Sequence, residues 1–135
     1  MIGTIGIALI GAHYLGDFWV QQHHWSAYKA ERSARGHLAC GLHVATYTAV
    51  CWAAVYLAAA VDGLDLSHAA VAVGMAVNAA THYALDRRRP LVWLARVTGH
   101  GGWIDADPAG ARMHLDQAAH LTVLAAVAIL IAAMS

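Results

Sequence analysis

Three histidine–aspartate pairs constrain this chain more than any other feature of it. They are His13/Asp17, His82/Asp86 and, in reversed order, Asp116/His120. Each pair is spaced four residues apart inside a run that is otherwise apolar. On a helix, residues i and i+4 share a face, so each pair presents an imidazole and a carboxylate side by side. Three such pairs on three separate apolar segments predict one shared polar site, and imidazole with carboxylate predicts that the site holds a metal.

The apolar runs set the fold class. Hydrophobic residues make up 60% of the chain and charged residues only 12%, against roughly a quarter charged in soluble domains. A hydrocarbon core takes ~20 mostly apolar residues per helix. Four segments satisfy this, at about residues 2–22, 37–61, 68–86 and 111–134. The expected architecture is all-α: a four-helix transmembrane bundle in a single domain over residues 1–135. A short interfacial helix is expected between spans three and four, at 91–98, with Trp93 as its anchor. Residues 99–102 and 105–108 read as loop, and Pro90 ends one helix or begins another. Asp65 or Ser67 is expected to cap the third span. Cys40 and Cys51, eleven residues apart on one segment, are expected as small buried apolar residues rather than a disulfide. The N-terminus has no basic stretch before its apolar run and does not read as a signal peptide.

Charge orients the bundle. All eight Lys and Arg residues fall in the first and third connectors, counting Arg112 at the edge of the fourth span, and none in the second. The positive-inside rule puts those connectors in the cytoplasm and both termini outside, with a bacterial inner membrane as the expected location. His13 and Asp17, His37 and His43, His82 and Asp86, and Asp116 and His120 then all lie near the cytoplasmic ends of their helices. The formal net charge of zero gives no support for nucleic acid as a partner. Membrane lipids and a second copy of this small chain are the expected partners.

Magnitudes favour a cation at the shared site. A carboxylate at the centre of a span costs ~2.5–3.5 kcal/mol, so three unpaired ones cost up to about 8–10 kcal/mol. A bound structural zinc returns ~10–16 kcal/mol. The expected ligands are His13, Asp17, His43, His82, Asp86, Asp116 and His120, around a divalent ion, zinc first and manganese second. Gln21, His37 and Gln117 are expected to hydrogen-bond those ligands. Seven ligands exceed what one tetrahedral zinc takes, so either two or more metals bind or one binds with surplus carboxylates orienting the histidines.

A family resemblance rests on these same residues. The stretches His13-Tyr-Leu-Gly-Asp17-Phe with Gln21, Lys29, Leu42-His43-Val44, His82-Tyr-Ala-Leu-Asp86 and Asp116-Gln117-Ala-Ala-His120-Leu resemble those of a family of small bacterial and phage membrane proteins, the domain-of-unknown-function family 3307. The resemblance implies no activity. More distantly, the helical His-x-x-x-Asp pairs are similar to those of membrane-bound metal-dependent hydrolases and the all-helical zinc phospholipase C class, which implies phosphoester hydrolysis by metal-activated water. This chain differs from the soluble phospholipases in having few loops from which to build a pocket. The expectation is a metal-dependent hydrolase acting on a lipid or lipid-linked phosphoester at the cytoplasmic face. Asp17, Asp86 and Asp116 are its candidate catalytic carboxylates, and Lys29, Arg87 and Arg88 are the candidate phosphate-binding cations. Two other readings stay open: a non-enzymatic binder or conductor of ions or protons, and a structural or interaction protein whose metal only holds the fold.

Overall fold

The computed structural model describes residues 1–135 and is all-helical. Helix α1 spans Ile2–Tyr14 and runs on as a π-helical turn, Leu15–Val20; α2 is His23–Tyr28, α3 Ala34–Asp62, α4 His68–Asp86, α5 Arg89–Val97, α6 Gly101–Ala106 and α7 Pro108–Met134. The four long helices form a closed ring, in which α1 and α4 each pack against both α3 and α7.

Local chemistry sets the ends of these helices. Ser33 Oγ accepts the Gly36 N–H at 3.1 Å and starts α3. Gly63, at φ 62°, stops it in the left-handed conformation that favours glycine. Of the two residues expected to cap α4, Ser67 does so, accepting the Ala70 N–H at 3.3 Å. Asp107 caps α7 through the Gly110 N–H at 3.0 Å, with Pro108 in the first turn.

The connectors are more helical than the sequence pattern implies. Residues 101–106, expected within loop, form α6, and α7 begins three residues before the expected start at 111 because Asp107 and Pro108 supply a cap and a first turn. Residues 23–28 of the first connector are also helical. The first helix ends at Val20 rather than at 22, where Gln21 turns extended at φ −62°, ψ 122°. Helix α5 lies where the interfacial helix was expected; Leu91 and Ala95 face inward, and Trp93 is exposed.

Packing divides the bundle along its length. Ile5, Leu9, Val55, Val71, Met75, Leu124 and Ile131 fill the end near the termini with one continuous apolar core. A smaller cluster of Ala95, Ile104 and Ala111 ties α5 and α6 to α7. Cys40 and Cys51 are buried and free. Two helices, α3 and α7, are long and apolar enough to cross a membrane, and only 28% of the apolar stretch of each is buried within the chain.

Helices α4 and α7 pack tightly at Gly74. A Cβ there would stand 2.5 Å from Ile131 Cγ1 and 3.4 Å from Val127 Cγ1. Gly74→Ala is therefore expected to destabilise the bundle by about 1–3 kcal/mol through overpacking, read as a lower Tm by circular dichroism in detergent. An Ile131→Ala background should remove most of that penalty, since the two sites share one contact.

Candidate metal centre

The π-helical turn of α1 shapes the first wall of the centre. A π-turn inserts one extra residue into a helix and is frequent at functional sites. Gly16 sits inside this turn against Tyr47 of α3; a Cβ on Gly16 would come within 2.8 Å of Tyr47 Cδ2. This close approach needs glycine and brings Asp17 against α3 and α4. Tyr47 in turn stacks on the His82 imidazole, with ring centroids 3.8 Å apart.

Four side chains from three helices meet at the heart of the centre. His43 Nε2 lies 3.0 Å from His82 Nε2, 3.2 Å from Asp17 Oδ1 and 3.2 Å from Asp86 Oδ2. His82 Nε2 lies 3.4 Å from each of the same two oxygens. A tetrahedral zinc with bonds of ~2.0–2.1 Å needs its donor atoms about 3.3–3.4 Å apart. The distances from each nitrogen to the other nitrogen and to both oxygens, five of the six edges of such a tetrahedron, lie near that value. The side chains are almost wholly buried, at 0% exposure for the two histidines, 8% for Asp17 and 3% for Asp86.

Hydrogen bonding within the chain leaves this quartet short of donors. Two imidazole nitrogens that face each other can share only one proton, while the two carboxylate oxygens beside them also require donors. Asp17 Oδ1 and Asp86 Oδ2 are buried with no hydrogen-bond partner. A dication would satisfy all four lone pairs at once.

The surrounding groups fix the ligands in place. Lys29 Nζ donates to Asp86 Oδ1 at 2.8 Å. The Gln21 carboxamide bridges three elements: its oxygen accepts from Lys29 Nζ at 3.0 Å and His43 Nδ1 at 3.3 Å, and its nitrogen donates to the Asp17 carbonyl at 3.1 Å. The bond to Nδ1 leaves the His43 Nε2 lone pair pointing into the quartet. Gln117 joins two of the remaining residues. Its Oε1 lies 3.1 Å from His13 Nε2, and its Nε2 donates to Asp116 Oδ2 at 3.3 Å. Gln21 and Gln117 thus hydrogen-bond residues expected as ligands.

Seven ligand candidates converge on this one end of the bundle. Three overlapping groups could each hold a metal ion: His13, Asp17 and His82; His43, His82 and Asp86; and Asp86, Asp116 and His120, with ligand atoms in each group within 4.8 Å of one another. His13 Nδ1 faces Asp17 Oδ2 at 3.7 Å. His13 and His120 stack with centroids 5.1 Å apart. His37 is not part of the convergence: it is exposed, and its Nδ1 lies 2.6 Å from Tyr83 Oη. Near the start of α3 it points away from the bundle axis, a difference of helical phase that its sequence position alone does not reveal.

A cavity of about 420 Å³ opens over the centre, within the range of small-molecule sites. Asp17, Asp86, Asp116 and Gln117 form its polar floor, while Lys29, Arg88 and Arg112 bring cations to its walls. Of the three expected phosphate-binding cations, Lys29 and Arg88 line the cavity and Arg87 does not. The Arg87 guanidinium instead donates to the backbone carbonyls of Lys29, at 2.7 Å, and Glu31. It clamps the first connector to the end of α4. Arg88 occupies φ 62°, a backbone state that costs a non-glycine residue about 1–3 kcal/mol, at the tight turn between α4 and α5. Arg112 and Tyr47 were not anticipated at the site. Arg112 reads in the sequence as a topology signal. For Tyr47 the one available clue is its position, a single helical turn after His43.

The clamp gives a direct prediction. Arg87→Ala removes hydrogen bonds of the charged class, worth about 1.5–3 kcal/mol each. Amide exchange over residues 23–33 should accelerate at least about tenfold by hydrogen–deuterium exchange mass spectrometry. Unchanged exchange would mean that Arg87 does not hold the connector.

No curated protein and no solved structure matches the chain. A family model described as "Protein of unknown function (DUF3307)" matches residues 5–135, a span that takes in every residue of the centre from His13 to His120. The chain therefore belongs to this family of proteins of unknown function.

Proposed function

We propose that this chain is an integral membrane, metal-dependent hydrolase that cleaves a phosphoester of a lipid or lipid-linked phosphate at the cytoplasmic face. One observation carries the reading. A buried quartet of two imidazole nitrogens and two carboxylate oxygens, with each nitrogen within 3.4 Å of both oxygens, lies beneath a cavity walled by Lys29, Arg88 and Arg112.

Membrane embedding is supported by what the helices leave uncovered. Ile7 on α1, Leu57 and Val61 on α3, Val73 and Val77 on α4 and Ile129 on α7 are all exposed. A core helix of a soluble protein would bury most of its apolar stretch; α3 and α7 bury 28%. We read α1 with its π-turn, and α4, as the other two spans. Their polar residues turn inward, so low hydropathy does not prevent a lipid-facing surface. Every Lys and Arg lies toward the end that bears the centre, which supports a cytoplasmic site and outside termini. A bacterial inner membrane fits this arrangement.

An amphiphilic substrate is supported by a second cavity. A groove of about 540 Å³ runs between α4, α5 and α7, lined by Leu85, Leu94, Leu115 and Val123 among others. Leu91 belongs to the walls of both cavities. A phosphate head over the carboxylate floor and an apolar tail in the groove would meet at Leu91. A divalent ion bound there supplies Lewis acidity toward a phosphoryl oxygen and activates water. The residues do the rest: Arg88 and Arg112 pair with the phosphate, Lys29 holds Asp86, and a carboxylate of the floor orients the attacking water. Conduction is the weaker reading, because the apolar core of Ile5, Leu9, Met75, Leu124 and Ile131 continues no polar route beyond the centre.

The test is phosphate release from phosphatidic acid and from a soluble aryl phosphate, by purified protein loaded with zinc or manganese. Asp17→Ala and His82→Ala should lose bound metal and at least about 10²-fold in rate. Arg112→Ala should keep its metal and raise KM by about 10–100-fold with kcat little changed. Folded, zinc-loaded wild type that releases no more phosphate than His82→Ala would sink the hydrolase and leave a metal that only holds the fold. Ion flux in liposomes, abolished by the same variants, would instead favour conduction.

A further inference from the structure

We propose that the centre is binuclear: a second divalent cation binds beside the quartet, held by His120 Nε2, Asp116 and Asp86. This rests on the reading of the quartet as a metal site and adds a second ion to it.

The tautomer of His120 is the starting point. Its Nδ1 lies 2.9 Å from the Asp116 carbonyl oxygen. A carbonyl only accepts, so the proton sits on Nδ1 and Nε2 carries a lone pair. His120 is 2% exposed, and Nε2 is buried without a hydrogen-bond partner. A backbone carbonyl on one ring nitrogen is the usual means of aiming the other at a metal. Nothing in the quartet uses His120, so this prepared lone pair needs a cation of its own.

Two carboxylates complete the ligand set. Asp86, Asp116 and His120 offer ligand atoms within 4.8 Å of one another. Asp86 already contributes Oδ2 to the quartet and Oδ1 to Lys29. Carboxylate oxygens carry two lone pairs each, so Asp86 can serve both ions as the bridge. Asp116 is held at Oδ2 by Gln117 and lines the cavity. The quartet is nearly inaccessible, whereas Asp116 lines the cavity. Two ions held by these residues would supply Lewis acidity to the oxygens of a phosphoryl group. One imidazole, two carboxylates and open positions suit zinc or manganese.

The experiment counts metal on the full chain in detergent, stripped with chelator, equilibrated with zinc and freed of excess. Wild type should hold two equivalents by mass spectrometry. His120→Ala and Asp116→Asn should each hold one, and that retained equivalent reports an intact bundle. Manganese-loaded wild type should give the electron paramagnetic resonance spectrum of a coupled pair, and His120→Ala that of an isolated ion. One equivalent in both wild type and His120→Ala, or two in both, overturns the second site and leaves the quartet standing. No metal in folded wild type overturns this proposal and the function above together.

Discussion

The centre rests on two imidazole nitrogens and two carboxylate oxygens buried together, with the nitrogens 3.0 Å apart and each 3.2–3.4 Å from both oxygens. Burying a carboxylate costs several kcal/mol even after the surroundings relax, and Asp17 and Asp86 are both buried here. The chain partly offsets this with its own cation, since Lys29 reaches Asp86 from the first connector. Asp17 has no lysine or arginine of its own. A divalent ion held by the quartet would supply further positive charge beside Asp17.

The burial of these groups explains features which otherwise look unrelated. The first connector crosses the end of the bundle to bring Lys29 to Asp86, and Arg87 holds it there by its backbone carbonyls. Gln21 links the connector to the π-turn and to His43. Glycine at position 16 lets the π-turn settle on Tyr47, whose ring supports the His82 imidazole. Each contact restricts a ligand or the element that carries it. A site held by several independent supports keeps its geometry through substrate binding. The opposite end of the bundle has no comparable polar demand, and it packs as a plain aliphatic core.

Much of this was legible in the sequence, and for identifiable reasons. Four-residue spacing places His82 with Asp86, and Asp116 with His120, on shared helix faces whatever the tertiary contacts. Alternating basic and acidic connectors told which ends of the helices belong together. What escaped is what helical periodicity cannot encode. His37 and His43 lie six residues apart on α3 and are both candidates for the site by sequence, yet only His43 faces inward. Arg87, Arg88 and Arg89 read alike as a basic run. The turn after α4 separates them, sending Arg87 back to the connector and Arg88, through a positive φ, to the cavity. The stretches 99–102 and 105–108 read as loop because glycines and aspartates dominate them, and packing of Ile104 against Ala95 and Ala111 overrides that local preference within 101–106.

The same contrast separates the two cavities. The polar one draws on titratable residues whose spacing marks them in the sequence. The apolar one is made where α5 lies across α4 and α7, and its lining reads as ordinary span. Only the fold sets Leu91 between them. If one ligand occupies both, its chemistry is constrained from two directions: an anionic head that tolerates Arg88 and Arg112, and a tail that gains by leaving water. Neither constraint alone selects a lipid phosphate. A ligand that fills both cavities would therefore need an anionic head and an apolar tail together.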